Sequence, residues 1–105
     1  MRIFHLALPA EWSDAERSGS YTLSTRGVTL EEEGFIHCSR HEQIDATRAA
    51  FYADVDDLLL LTIDTDLLTS PWQEDEVPGG ETFPHIYGAL NLDAVVNIES
   101  LRGAA

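Results

Sequence analysis

Lysine is absent, and six arginines face nineteen aspartates and glutamates, leaving a formal net charge of −13 over 105 residues. A surface of that sign repels nucleic-acid phosphates and anionic lipid at long range. DNA is therefore not an expected partner, RNA is disfavoured, and the acids read first as a solubilising surface. Cysteine is almost absent too: Cys38 is the single one, which excludes an internal disulfide and fits a reducing compartment. No apolar run approaches the roughly 20 residues needed to cross a bilayer, so no membrane association is expected. The opening Met1-Arg2-Ile3-Phe4-His5-Leu6-Ala7-Leu8 is too short and too soon polar for a signal peptide, so the expected location is the cytoplasm. Repeats, low-complexity tracts and linkers are lacking as well. What is there is an apolar fraction of 44%, enough for a core and too much for a disordered chain. The length predicts a single domain spanning residues 1–105.

Arg2 to Leu8 reads as a first strand, with Ile3, His5 and Ala7 on one face and Phe4, Leu6 and Leu8 on the other. Pro9 opens a short helix through Arg17, and Gly19 stops it. Residues 19–28 read as loop; Thr29 and Glu32 have capping-box spacing for one helical turn that leaves through Gly34. Phe35 to Cys38 is a short strand, and Ser39-Arg40-His41-Glu42 a second capping box opening a helix to about Ala53. Leu58 to Ile63, a continuous apolar run bounded by acids, predicts a strand covered on both faces. Pro71 to Glu76 reads as an edge strand before a Pro78-Gly79-Gly80 turn. Thr82 to Tyr87 is extended, Gly88 to Asp93 a turn region, and Ala94 to Leu101 a last strand. The expected fold is α+β: a mixed, split sheet of about five or six strands with two main helices.

Three of the four histidines sit within apolar extended segments: His5, His37 and His85. A buried imidazole is costly unless its nitrogens find partners. Each alone reads as a structural histidine, whereas three in separate strands point to one shared cleft. His41, in the first turn of a helix, reads as surface. A metal site is a weaker alternative, because no pair has H-x-H or H-x-x-x-H spacing within one element. Cys38 adjoins His37 but points to the opposite strand face and reads as core. Ser39 is accounted for by its capping-box position, Glu31 to Glu33 by a solvated turn, and Trp12 and Trp72 by packing.

Four segments together resemble the small bacterial family known as domain of unknown function 952: Gly34-Phe35-Ile36-His37-Cys38-Ser39, Leu59 to Asp64, Phe83-Pro84-His85-Ile86-Tyr87-Gly88, and Leu92-Asp93-Ala94-Val95. The first strand with His5, and Trp12 after it, fit the same pattern. That family is in turn similar to the ADP-ribosyltransferase superfamily, with a distant echo of the tRNA 2′-phosphotransferase. The resemblance implies a split sheet with an NAD-binding cleft between its halves. It implies His5 at the first-strand position that grips ADP-ribose, His37 at the second-strand histidine, and His85 near the third motif. Phe83 and Tyr87 would offer rings near a nicotinamide. The candidate catalytic pair is thus His37 and His85, and the candidate ligand-binding set is His5, His37, Ser39, His85 and Tyr87, with no metal. NAD is the implied substrate or ligand. The transferases' late glutamate, which stabilises an oxocarbenium-like transition state, has no secure counterpart, although Glu74 and Glu81 lie nearby in sequence. That departure favours the alternative reading, a non-catalytic small-ligand or protein-binding module on the same fold.

Overall fold

The computed structural model describes residues 1–102. Along the chain run β1 (Arg2–Ala7), α1 (Pro9–Ser18), β2 (Ser20–Tyr21), β3 (Leu23–Thr25), β4 (Val28–Thr29), α2 (Leu30–Glu33) and β5 (Ile36–His37). They are followed by α3 (Ile44–Phe51), β6 (Asp57–Asp64), β7 (Trp72–Glu76), β8 (Thr82–Ile86), β9 (Leu90–Asn91) and β10 (Val95–Arg102).

The Leu58–Ile63 run becomes β6, the middle strand of an antiparallel sheet ordered β1-β6-β10. Alternation fills both faces, as its continuous apolar sequence requires. Leu61 and Ile63 join Ile3, Ala7, Ile36 and Ile86 in the main core, while Leu58 packs with Leu6 and Tyr52 on the other side. Each fully buried Leu or Ile contributes about 1.5–3 kcal/mol of transfer free energy. A second three-stranded sheet is ordered β5-β8-β7. The two sheets meet where Phe4 and Ser39 exchange backbone hydrogen bonds of 2.9 and 2.7 Å. His37, two residues before Ser39, therefore stands beside that junction. Pairs β2-β9 and β3-β4 complete a small α+β domain.

Helix ends obey local chemistry. Glu11 accepts the Leu8 N–H at the start of α1, and Gly19 closes it in the left-handed region at φ 93°. The Thr29–Glu32 capping box forms as the spacing predicts, and Gly34 ends α2. Gly88 is required for another reason: a Cβ there would stand 2.5 Å from Ser70 Oγ.

Four expectations are corrected: strand direction, strand number, the Ser39 cap and the end of α3. The sheet is not mixed: all pairings among the described residues are antiparallel, and strands number ten rather than five or six. Strand direction leaves no mark on partners as distant as Ile3 and Ile63, and strands of two or three residues are too short to show alternation. The two main helices, α1 and α3, and the single turn α2 form as expected among the described residues. Ser39 does not cap a helix. It is held in the bridge to Phe4, and its hydroxyl lies 3.0 Å from Thr47 Oγ1. Gln43 Oε1 accepts the Arg40 N–H instead, opening a 3₁₀ turn at His41–Gln43 before α3. That helix ends at Phe51, short of Ala53, because Tyr52 leaves helical geometry and buries its ring.

Candidate functional site

The antiparallel register of β5 and β8 sets His37 directly opposite His85. Their rings come together, with His37 Nδ1 3.4 Å from His85 Nε2. On the neighbouring strand Gln73 faces His85 and Asp75 faces Phe83, so Asp75 lies one diagonal step from His85. Asp75 Oδ2 accepts from His85 Nδ1 at 2.7 Å and from the Tyr87 hydroxyl, and Oδ1 accepts from Gln73 Nε2 at 2.6 Å. Those hydrogen bonds, from Tyr87 first, then Gln73 and His85, hold the Asp75 carboxyl below the usual carboxylate range.

A carboxylate accepts only, so His85 carries its proton on Nδ1. In neutral His85 the lone pair is then on Nε2, which faces His37 Nδ1. His37 donates from Nδ1, and its own lone pair falls on Nε2. With His85 neutral, the chain Asp75–His85–His37 fixes two tautomers in succession and leaves the lone pair of His37 on Nε2, a buried atom. Burial first, and then the repulsion that would arise were both adjacent rings protonated, push His37 down to about 4, so its ring is neutral at pH 7.

Rings surround the pair. Phe35 stacks on His85 with centroids 3.8 Å apart at 15°, and Phe83 and Phe51 flank His37 at 5.1 and 6.2 Å. His37, His85, Phe35 and Phe51 line a cleft of about 290 Å³, together with Thr25, Val28, Glu33 and Val77. Neither arginine nor any other permanent cation is among those walls.

His5 has a different place from the other two. Its Nδ1–H donates to the His37 carbonyl at 2.6 Å, and its Nε2 accepts from the Tyr21 hydroxyl at 2.9 Å. Both nitrogens are occupied and the ring is 3% exposed. Burial pushes it down to about 4, against the opposing effect of the His37 carbonyl. His5 therefore holds the backbone of His37 from behind. Ser39 lies on that same inner side, bonded to Thr47. Tyr87 is not a wall of the cleft: it lines a separate surface pocket with Pro71, Trp72 and Gln73 and reaches the chain through Asp75. His41 is exposed, with its ring against Phe4. Cys38 is buried, and burial pushes its thiol up, away from the reactive thiolate. Glu74 and Glu81 are engaged elsewhere: Glu74 pairs with Arg40 at 2.8 Å and Glu81 accepts from Gln43 at 3.0 Å. Among the described residues no group of three or more His, Cys, Asp or Glu is placed to hold a metal ion. None of the described helices is long and apolar enough to cross a membrane.

Asp75, Phe35 and Phe51 were not among the candidate site residues read from sequence, and Glu33 was read as part of a solvated turn. A signal existed for Asp75. Pairing the two strands about the Pro78-Gly79-Gly80 turn sets its face of β7 against that of His85.

Fold and site define a small antiparallel α+β protein with a ring-lined cleft built on a carboxylate–histidine–histidine chain. The family model described as "Protein of unknown function (DUF952)" matches residues 6–98, and the chain belongs to that family. The crystal structure of protein CC0527 from Caulobacter crescentus is similar, with TM-score 0.84 and 28% identity over 95% of this chain and 85% of that one. Its solution NMR structure gives TM-score 0.81 and 29% identity over 99% of this chain and 87% of that one. A double mutant of the same protein gives 0.83 and 27%, covering 95% and 85%. No curated protein matches.

Proposed function

We propose that the cleft beside His37 and His85 binds the nucleoside end of NAD or a related nucleotide. The observation that carries the reading is the Asp75–His85–His37 chain ending in a half-buried imidazole at the wall of a ring-lined cleft. Phe51 lines the cleft while 51% exposed, an aromatic surface available to a planar ring. A volume of about 290 Å³ suits a nicotinamide or a ribose rather than a whole dinucleotide. The absence of a permanent cation from the walls leaves the diphosphate outside. Glu33 is the carboxylate on the cleft wall, while Glu74 and Glu81 are held by Arg40 and Gln43. The ADP-ribosyltransferase-like reading draws its further support from the sequence resemblance.

Titrating isotope-labelled protein with NAD, with ADP-ribose as control, tests it. Saturable shifts centred on His37, His85, Phe35 and Phe51, lost in His37→Ala, are expected. A spectrum unchanged at millimolar NAD overturns the nucleotide assignment.

A second reading, a non-catalytic ligand- or protein-binding module, is favoured by the ties of Glu74 and Glu81 to Arg40 and Gln43. Shifts without nicotinamide release would select it.

A further inference from the structure

Behind His37 lies a second, much smaller pocket of about 10 Å³, whose walls include Ser24, Thr25, His37, Ser39 and Thr47. That is at the lower end of the roughly 10–15 Å³ a single water requires. Two buried polar atoms of its lining residues, Ser24 Oγ and His37 Nε2, have no hydrogen-bond partner among the described residues. Ser24 is 1% exposed. A buried hydroxyl or ring nitrogen left without a partner costs about 1–3 kcal/mol, so two at one pocket call for a ligand that satisfies both.

Chemistry narrows the ligand. The tautomer set by Asp75 through His85 leaves His37 Nε2 as a lone pair, so whatever meets it must donate. Of the other polar neighbours, Ser39 is bonded to Thr47, His5 to Tyr21 and the His37 carbonyl, and the Tyr52 hydroxyl to Arg26 N–H and the Leu6 carbonyl. The ligand must therefore be the size of one heavy atom, donate to an imidazole, and exchange a hydrogen bond with a serine hydroxyl. We propose that one long-lived water molecule is bound here, donating to His37 Nε2 and bonded to Ser24 Oγ.

The site lies beside the proposed ligand cleft rather than in it. Thr25 and His37 are walls of both spaces, so the water stands on the inner side of the imidazole whose other surroundings form the cleft. There it completes the chain from Asp75 and keeps the His37 lone pair saturated. It is bound whether or not a nucleotide enters.

Water–protein cross-relaxation in the wild-type protein tests this. Cross-peaks from the water resonance to Ser24 and His37 protons, with the sign of a complex lasting longer than molecular tumbling, are expected. Oxygen-17 relaxation dispersion should count one long-lived water fewer in Ser24→Val, whose added methyl group fills the pocket. If Ser24→Val does not fold, the wild-type cross-peaks alone decide. Their absence, or a direct hydrogen bond from Ser24 Oγ to His37 Nε2, overturns the proposal. A long-lived water with no response to NAD overturns the nucleotide reading and leaves this site standing; the reverse pair of results does the opposite.

Discussion

Acid should unfold this protein partly through His5, and the size of the effect follows from its surroundings. The ring is 3% exposed and neutral, with Nδ1 donating to the His37 carbonyl and Nε2 accepting from Tyr21. Protonation adds a charge to the core and turns the Nε2 acceptor into a donor facing Tyr21. The folded protein thus depresses the group from 6.5 to about 4, while the unfolded chain keeps the higher value. Below the higher value the unfolded state binds more protons. The stabilisation from neutral His5 is therefore complete above pH 6.5 and declines as pH falls toward 4. At about 1.4 kcal/mol per pH unit the loss by pH 4 amounts to about 3 kcal/mol. His5→Asn isolates the effect, because its amide retains a donor near Nδ1 and has nothing that titrates. Urea unfolding of both proteins between pH 7.5 and pH 4 is the assay. The variant should be less stable at neutral pH, and its deficit should shrink by about 3 kcal/mol across the interval as the carboxylates common to both cancel. A deficit that stays constant with pH would refute the reasoning.

Other consequences are independent of that one. Tyr21→Phe removes the hydroxyl that donates to His5 Nε2 and should cost about 1–3 kcal/mol by leaving a buried acceptor, read as a lower urea midpoint at unchanged slope. Gly88→Ala forces a Cβ to within 2.5 Å of Ser70 Oγ, so it should destabilise by about 1–3 kcal/mol; Ser70→Gly in the same chain should recover part of the loss. Asp75→Ala removes the acceptor that selects the Nδ1–H form of His85. Long-range nitrogen–proton spectra should then show His85 in both tautomers, and an unchanged single tautomer would show that Asp75 does not position it. Arg17→Ala breaks an exposed ion pair with Asp14 and should shift stability by less than about 0.5 kcal/mol in thermal unfolding.

Local elements were legible where pattern and length were both sufficient. The apolar run of β6, the Pro9 and Gly19 boundaries of α1 and the Thr29–Glu32 capping box each signal one local state strongly, and each forms. Strands of two residues such as β2 and β9 carry no period, and strand direction depends on packing that no single segment encodes. The Ser39 cap failed because a tertiary partner, Phe4, captured the residue before the helix could use it. At the site, an imidazole in an apolar strand was a sound reason to single out His5, His37 and His85. Burial alone does not distinguish a histidine that faces a cleft from one whose nitrogens are both occupied, so the three looked equivalent. The structure separates them by partners: His5 is bound on both sides, whereas His37 and His85 form a chain. Asp75 was hidden because its importance lies in register, a property of the hairpin rather than of any residue.

The most direct measurement is a pH titration of the histidine ring nitrogens in labelled protein from pH 8 to pH 3. The hydrogen-bond chain requires His37 to hold its proton on Nδ1, with a lone pair on Nε2, and to stay neutral until about pH 4. A His37 ring that exchanges between tautomers at neutral pH and titrates near 6.5, as a solvated imidazole does, would contradict the carboxylate–histidine–histidine chain on which the proposed site is built.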